Sequence, residues 1–456
     1  MSFETVLIAN RGEIALRVIE ACRELGLRSV VVYSEADAEM PYLKMADAAV
    51  CIGPPPASKS YLSLAAIFSA AELTGAEAIH PGYGFLAENP HFVEVCEEHG
   101  ITFIGPRQET MRLVGDKLRA REAVLSAGVP VLPGGIAPTD PDELRAAAEE
   151  IGLPLLVKSV YGGGGRGMRY VTSIDEIETL AAAASTEAKA ASGDGSLYLE
   201  KAAIDPRHVE VQIFADGEGN VVHLGERECS IQRRHQKMIE ESPAPKLTDE
   251  QRRTLHAAAV HAARATGYRN AGTVEFLLDA EGDIYFMEMN ARIQVEHSVT
   301  EVVTGTNLIK EQIVLARENR LPFAQDDVAL RGHAIECRVT AEDPERGFMP
   351  SCGTVNVVEL PGGNGIRVDT ALYDGMVVSP HYDSMVAKVI AWGQDREEAR
   401  VRMEIALGRF RVSGIATTVP VLRDVVRDPA FRRGEMTTGF VEHVLDQRAG
   451  APPTDV

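Results

Sequence analysis

Apolar positions along this chain follow two periodicities. From Thr5 to Ala9 they form a short unbroken run, the mark of a buried strand, and Ser29 to Tyr33 repeats it. Between these runs Ile14, Val18, Ile19, Cys22 and Leu25 recur at helical spacing after an Asn10-Arg11-Gly12 turn, and Gly26 ends the helix. Strand, helix and strand joined this closely predict a parallel β-α-β unit. The dense turn residues of His80 to Phe85 predict a loop, and a first domain ends near Gly115. Asp116 is placed to cap a helix over Lys117 to Ala127, closed by Gly128, and Thr139-Asp140-Pro141 opens another that stops at Gly152. Leu155 to Val160, Met168 to Val171 and Leu197 to Glu200 predict strands. Val209 to Phe214 pairs with Val221 to Gly225 across a Gly- and Asp-rich turn, and Thr273 to Leu278 pairs with Ile284 to Met289. Ala181 to Ala191 predicts a helix. Past Arg331 short strands and turns prevail until helix resumes at Arg396. With no solenoid repeat and no low-complexity linker, the domains should pack closely.

The 456 residues suggest about three domains. Hydrophobic content of 45% and charged content of 25% are those of an ordinary soluble globular protein. Against 46 Lys and Arg stand 67 Asp and Glu, a net charge of −21 that argues against non-specific nucleic-acid binding. The six cysteines are scattered and form no C-x-x-C pair, which fits reduced thiols better than a disulfide framework or a zinc site. Cys229 and Cys337 read as small buried hydrophobes. No run of about 20 apolar residues is present to span a membrane. Met1 to Asn10 lacks the basic start and apolar core of a signal peptide, so the cytoplasm is the expected compartment.

The chemistry concentrates at Glu288-Met289-Asn290 and the following Arg292-Ile293-Gln294-Val295-Glu296-His297. Glu288 and Asn290 are two apart in a strand, so they share a face where the strand runs out. Hard oxygen ligands of this kind suit Mg²⁺ with a nucleotide. Arg292 is then placed to grip a small oxyanion and Glu296 to take a proton from it. Glu275, on the partner strand, is a carboxylate in an apolar run and costly to bury unless paired or metal-bound. A set of structural ion pairs is the alternative, with metal favoured.

Gly162, Gly164 and Gly167 satisfy G-x-G-x-x-G, but a strand follows them instead of a helix, which excludes a dinucleotide fold. The run could be a plain surface hairpin or a turn whose backbone N–H groups close over phosphate, with Arg166 adding charge. Lys158, on the strand feeding the loop, favours the second. Lys117, Lys201, His208 and the basic stretch Arg233-Arg234-His235-Gln236-Lys237 are further candidate anion ligands, provided that they converge; otherwise they are solvated surface charge.

These residues carry a family signature. The chain resembles biotin carboxylase, an ATP-grasp enzyme, through IANRGEIALR from Ile8, HPGYGFLAEN from His80, FIGP from Phe103, GDK ending at Lys117, GGGGRGM from Gly162, PRHVEVQ from Pro206, ECSIQRRHQK from Glu228, MEMNARIQVEH from Met287 and ECRVTAEDP from Glu336. They run in family order over essentially the whole chain to about Phe440. The resemblance implies an α/β architecture in three parts: a parallel-sheet, nucleotide-fold-like domain over residues 1–115, an ATP-grasp domain over 116–330 with a mobile lid over about 131–203, and a β-rich C-terminal domain over 331–446. It also implies roles. Lys117, Lys158, Gly164, Gly165, Glu200, Lys201, Ala203, His208 and His235 match positions around ATP, and Glu275, Glu288 and Asn290 match the Mg²⁺ or Mn²⁺ ligands. Lys237, Arg292, Gln294 and the backbone of Val295 match bicarbonate contacts, Glu296 the base and Arg338 the biotin contact. The implied reaction carboxylates biotin through carboxyphosphate. Ala291, Ser298, Tyr161, Ala202-Ala203 and Cys352 depart from common family residues, and none of them removes a catalytic side chain.

Neither Lys388 nor Lys237 sits in the Ala-Met-Lys-Met turn that normally carries biotin. Biotin is therefore expected on a separate carrier protein, with a carboxyltransferase acting elsewhere. The expected assembly is a homodimeric subunit of an acetyl- or acyl-CoA carboxylase, the alternatives being the equivalent subunit for pyruvate or propionyl-CoA. A carboxylate–amine ligase fits the glycine loop and metal hairpin equally well but not Arg292 to Glu296, and intact Lys237, Arg292 and Glu296 argue against a non-catalytic nucleotide-binding scaffold.

Overall fold

The structure, a computed structural model, describes residues 3–160 and 168–450. The glycine loop, including Gly164 and Gly165, lies outside the described residues.

Three sheets surround a common cleft. The first is parallel and five-stranded, in the order Ala48–Cys51, Arg28–Tyr33, Thr5–Ile8, Ala78–His80, Thr102–Phe103. The predicted β-α-β unit is its core, with the helix Gly12–Glu24 burying Ile14, Val18, Ile19 and Cys22 against it. Strand order reverses between Thr5–Ile8 and Ala78–His80. The loops leaving their carboxyl ends meet there, which is where open α/β sheets form binding crevices. Asn10 Nδ2 ties the two loops by donating to the carbonyls of Pro81 and Tyr83, each at 2.7 Å. Gly82 between these carbonyls has φ +62°, and a Cβ there would lie 2.8 Å from Asn10 Nδ2, so a side chain would break the junction.

The second sheet is antiparallel, ordered Gly134–Ile136, Leu197–Lys201, Leu155–Ser159, Arg169–Val171. Helices Pro141–Ile151 and Ile177–Ser192 cover one face with a core that includes Leu144, Ala148, Leu155, Val157 and Leu199. Alternation along Leu155–Ser159 sends Leu156 and Lys158 to the other face, towards the cleft.

The third sheet has eight antiparallel strands: Ile284–Asn290, Arg269–Leu278, Arg207–Asp216, Val221–Arg233, Gln236–Ser242, His333–Thr340, Met385–Gly393 and Ile366–Thr370. Strands from both sides of residue 330 thus share one sheet. Helices Arg396–Arg409 and Val419–Arg427 pack on its C-terminal part. Among the described residues no helix is long and apolar enough to cross a membrane.

Two expectations change in detail. The strand beginning at Val221 does not stop at Gly225 but runs to Arg233; Gly225 has φ +84°, and the register shifts twice farther along. A glycine that reads as punctuation here sits within a continuous, irregular strand. The basic stretch from Arg233 to Lys237 is not one face. Arg234 and His235 have φ of 49° and 64° and make a tight reversal, which turns Lys237 inward while the Arg233 guanidinium lies over the Phe348 ring at 3.8 Å.

Candidate active site

The cleft among the three sheets has a volume of about 1040 Å³, and every candidate side chain within the described residues lines it except Arg233. Its floor is the third sheet. Along Arg207–Asp216, His208, Glu210 and Gln212 alternate with Val209, Val211 and Ile213, so one face of a buried strand is polar. Register pairs Glu210 with Glu275 and Glu275 with Glu288, which sets three carboxylates in a row across three strands. Like charges placed this way repel unless offset.

Lys237 supplies the offset at one end. Its Nζ donates to Glu210 Oε2 at 2.6 Å, Glu275 Oε1 at 2.9 Å and Glu296 Oε1 at 2.6 Å. His208 Nε2 stands 2.9 Å from Glu275 Oε2. Burial alone would raise the Glu275 carboxyl, yet Lys237 and His208 hold it well below the ordinary carboxylate range. Glu288 lacks that relief: burial, then the charge of Glu275, push its carboxyl upward. Glu275 and Glu288, beside the amide of Asn290, form a hard-oxygen donor set that fits a divalent cation. His208, Glu210 and Glu275 also bring ligand atoms together. The Lys237 ammonium already bridges two of them, which leaves the Glu275–Glu288 side as the place where a divalent cation would fit.

Glu296 immediately precedes the helix His297–Thr304 without capping it, which leaves its carboxylate to the cleft. Its second oxygen accepts from Arg338 Nη2 at 2.9 Å. Burial opposes ionisation, but Lys237, Arg338 and Arg227 keep this carboxyl well below its ordinary range. Arg338 Nε also donates to Glu240 Oε1 at 2.5 Å. Burial lifts the Glu240 carboxyl to about 7 and that of its register partner Glu336 to about 8. Arg292 is held on two sides, with Nε 3.0 Å from Glu88 Oε2 and Nη2 donating to Asn290 Oδ1 at 3.0 Å. Gln294 Nε2 donates to Glu275 Oε1 at 2.5 Å. The Val295 carbonyl accepts from Lys388 Nζ at 2.9 Å, so any backbone donor from Val295 to an anion is its N–H. Lys388 itself is fully buried.

At the opposite end Lys158 pairs with Glu200, and Arg121 Nη1 reaches the other Glu200 oxygen at 3.5 Å. Lys117 begins the helix Lys117–Ser126, capped by Asp116, whose Oδ1 accepts from the N–H groups of Leu118 and Arg119. The ammonium of Lys201 turns away to the carbonyls of Gly152 (3.2 Å) and Leu153 (2.6 Å). Next to it Ala202 N–H donates to Pro154 O at 3.0 Å, which runs the Ala202-Ala203 backbone along the cleft. His235 lines the cleft from the reversal described above.

Sequence reasoning passed over Glu210, Arg227, Glu240, Glu336 and Glu88. Glu210 had a local signal, a carboxylate between two valines in a strand, whereas Arg227 was masked by Glu226 and Glu228 on either side. Glu88 had none, because its partner Arg292 is remote in sequence and leaves the end of a strand in another sheet.

Residues 2–111 match the family described as biotin carboxylase, N-terminal domain, residues 116–324 the carbamoyl-phosphate synthase L chain ATP-binding domain, and residues 336–443 the biotin carboxylase C-terminal domain. The chain is 52% identical to a biotin carboxylase of Pseudomonas aeruginosa over 97% of its length and 98% of the relative's. It is equally identical, at 52%, to a pyruvate carboxylase subunit of Methanothermobacter thermautotrophicus, over 96% of this chain and 90% of that one. The crystal structure of a biotin carboxylase–βγ-ATP complex from Campylobacter jejuni superposes with a TM-score of 0.94 at 46% identity, covering 97% of this chain and 99% of that one. The biotin carboxylase domain dimer of Hydrogenobacter thermophilus 2-oxoglutarate carboxylase, solved with MgADP and bicarbonate, superposes at 0.93 and 48% identity, covering 98% and 99%. Likeness of this extent, spread over all three sheets and the cleft they enclose, shows that the chain belongs to the biotin carboxylase family, ATP-dependent ligases of the ATP-grasp class that carboxylate biotin.

Proposed function

We propose that the two ends of the cleft divide the reaction between them. Lys117, Lys158, Glu200, the backbone at Lys201 to Ala203, His208 and His235 bind ATP, together with Gly164 and Gly165. Glu275, Glu288 and Asn290 hold Mg²⁺ or Mn²⁺, which when bound neutralises phosphoryl oxygens. Arg292, Lys237, Gln294 and the Val295 N–H hold bicarbonate. Glu296 removes its proton, the oxygen so exposed attacks the γ-phosphorus, and ADP leaves as carboxyphosphate forms. Carboxyphosphate then splits into CO₂ and phosphate. Phosphate takes the ureido proton of biotin, Arg338 stabilises the enolate oxygen, and the freed nitrogen captures CO₂.

The observation that carries this reading is the contact of Glu296 with Lys237 and Arg338. A carboxylate so tightly paired is a weak base. An arriving anion competes for Lys237, and biotin for Arg338, so Glu296 gains proton affinity only as substrates bind. ADP release should require bicarbonate and rise with free biotin; no rise at saturating MgATP would sink the reading.

For partners, we infer a homodimer, as in the Hydrogenobacter structure, that receives biotin on a separate carboxyl carrier protein and works beside a carboxyltransferase. The burial of Lys388 supports the separate carrier, because that lysine is closed to biotinylation. Unpaired thiols, two of them exposed at Cys51 and Cys352, fit the reducing cytoplasm. An acetyl- or acyl-CoA is the proposed final acceptor. The pyruvate carboxylase relative makes pyruvate the second reading, and reconstitution with purified carrier and carboxyltransferase, scored on acetyl-CoA against pyruvate, separates them.

A further inference from the structure

Arg227 has no exposed surface and does not line the cleft. Its guanidinium is nevertheless aimed at the back of the bicarbonate pocket, and each of its three nitrogens donates. Nε donates to Glu210 Oε1 at 2.5 Å, Nη1 to Gln212 Oε1 at 2.8 Å and Thr300 Oγ1 at 3.0 Å, and Nη2 to Thr273 Oγ1 at 3.1 Å and Gln294 Oε1 at 2.8 Å. A buried cation needs a paired anion, which Glu210 alone would supply. The four neutral acceptors do something else: they fix orientation.

Two partners pass that orientation into the cleft. The oxygen and amino group of a glutamine amide are nearly the same shape, so its neighbours decide which way it faces. Arg227 takes the Gln294 oxygen while Glu275 takes the amino group. A flipped amide would set donor against donor and acceptor against acceptor. Glu210 spends one oxygen on Arg227 and the other on Lys237. Thr300 lies on the helix that follows Glu296, so the same guanidinium also ties that helix to the sheet.

We propose that Arg227 is a positioning residue of the bicarbonate pocket, fixing the amide of Gln294 directly and the ammonium of Lys237 through Glu210 without touching substrate. This rests on the bicarbonate reading above. The test is Arg227→Lys, which keeps the charge but replaces a five-donor fork with a three-donor point charge. The expected result is a rise in KM for bicarbonate of about tenfold or more, with ADP affinity by calorimetry within about twofold of wild type. Adding Gln294→Ala to Arg227→Lys should cost far less than Gln294→Ala costs alone, because one acts through the other. Thr300→Val, a milder loosening of Nη1, should shift bicarbonate KM in the same direction by about threefold, and it carries the test if Arg227→Lys does not fold. Unchanged bicarbonate KM in folded variants, additive effects, or parallel loss of ADP affinity would overturn the proposal. If wild-type ADP release shows no dependence on bicarbonate, the reading of the pocket fails instead, so the two failures are told apart.

Discussion

At the end of the cleft proposed for the nucleotide the charges stand in small separate groups, whereas at the end proposed for bicarbonate they interlock. Lys158 and Arg121 both answer to Glu200, and Lys201 to the carbonyls of Gly152 and Leu153. At the other end Lys237 touches three carboxylates, one of which also touches Arg338, while Arg227 braces another from behind. Separate groups can be altered one at a time. An interlocked buried set cannot, because removing one member leaves its partners charged and unpaired. Substitutions at the nucleotide end should therefore move KM for ATP, and substitutions at the bicarbonate end should move the chemistry.

The largest expected effect is at the centre of the interlocked set. Lys237→Met should lower bicarbonate-dependent ATP cleavage by about a thousandfold, as loss of an electrostatic group at developing charge does, while ADP still binds in a calorimeter. Next, Arg338→Met should abolish the stimulation of ADP release by free biotin, since Arg338 is assigned to the biotin enolate, and should also change biotin-free release because Arg338 holds Glu296. Smaller again, Glu88→Gln should raise bicarbonate KM by about five- to tenfold by freeing one side of Arg292, an exposed-rim pair being worth less than a buried one. At the quiet end, Lys201→Met should change ATP KM by no more than about twofold, because its ammonium is spent on Gly152 and Leu153; a large loss would show that the lysine swings into the cleft.

The strands and hairpins were legible because their periodicity is local: the β-α-β unit at Thr5–Tyr33, the capped helix after Asp116 and the hairpin that carries Glu275 and Glu288 follow directly from spacing. Of the side chains expected to converge, those within the described residues line one cleft apart from Arg233. Register between strands distant in sequence was not legible. That Glu210 faces Glu275, or Glu240 faces Glu336, depends on which strands become neighbours in an eight-stranded sheet. Which members of the basic stretch enter the cleft was not legible for a related reason, since only the backbone reversal at Arg234 and His235 separates Lys237 from Arg233.

Stability offers a further contrast within the interlocked region. Burial raises the Glu336 carboxyl from 4.5 to about 8. Between those values the folded state binds a proton that the unfolded state has released, so this residue makes stability fall as pH rises across the window. Thermal denaturation from pH 5 to pH 8 should therefore show a shallower loss for Glu336→Gln than for wild type. A parallel course for the two proteins would mean that Glu336 is paired and ionised.

The central claim is that Glu296, held by Lys237 and Arg338 at rest, becomes the base that makes bicarbonate a nucleophile. Its most direct test is single-turnover ADP formation by Glu296→Gln at saturating MgATP and bicarbonate, with ADP affinity measured on the same preparation. The account predicts a rate at least about a hundredfold below wild type with nucleotide affinity unchanged, the scale of a lost general base. A rate within about threefold of wild type in a protein that binds ADP normally would contradict it.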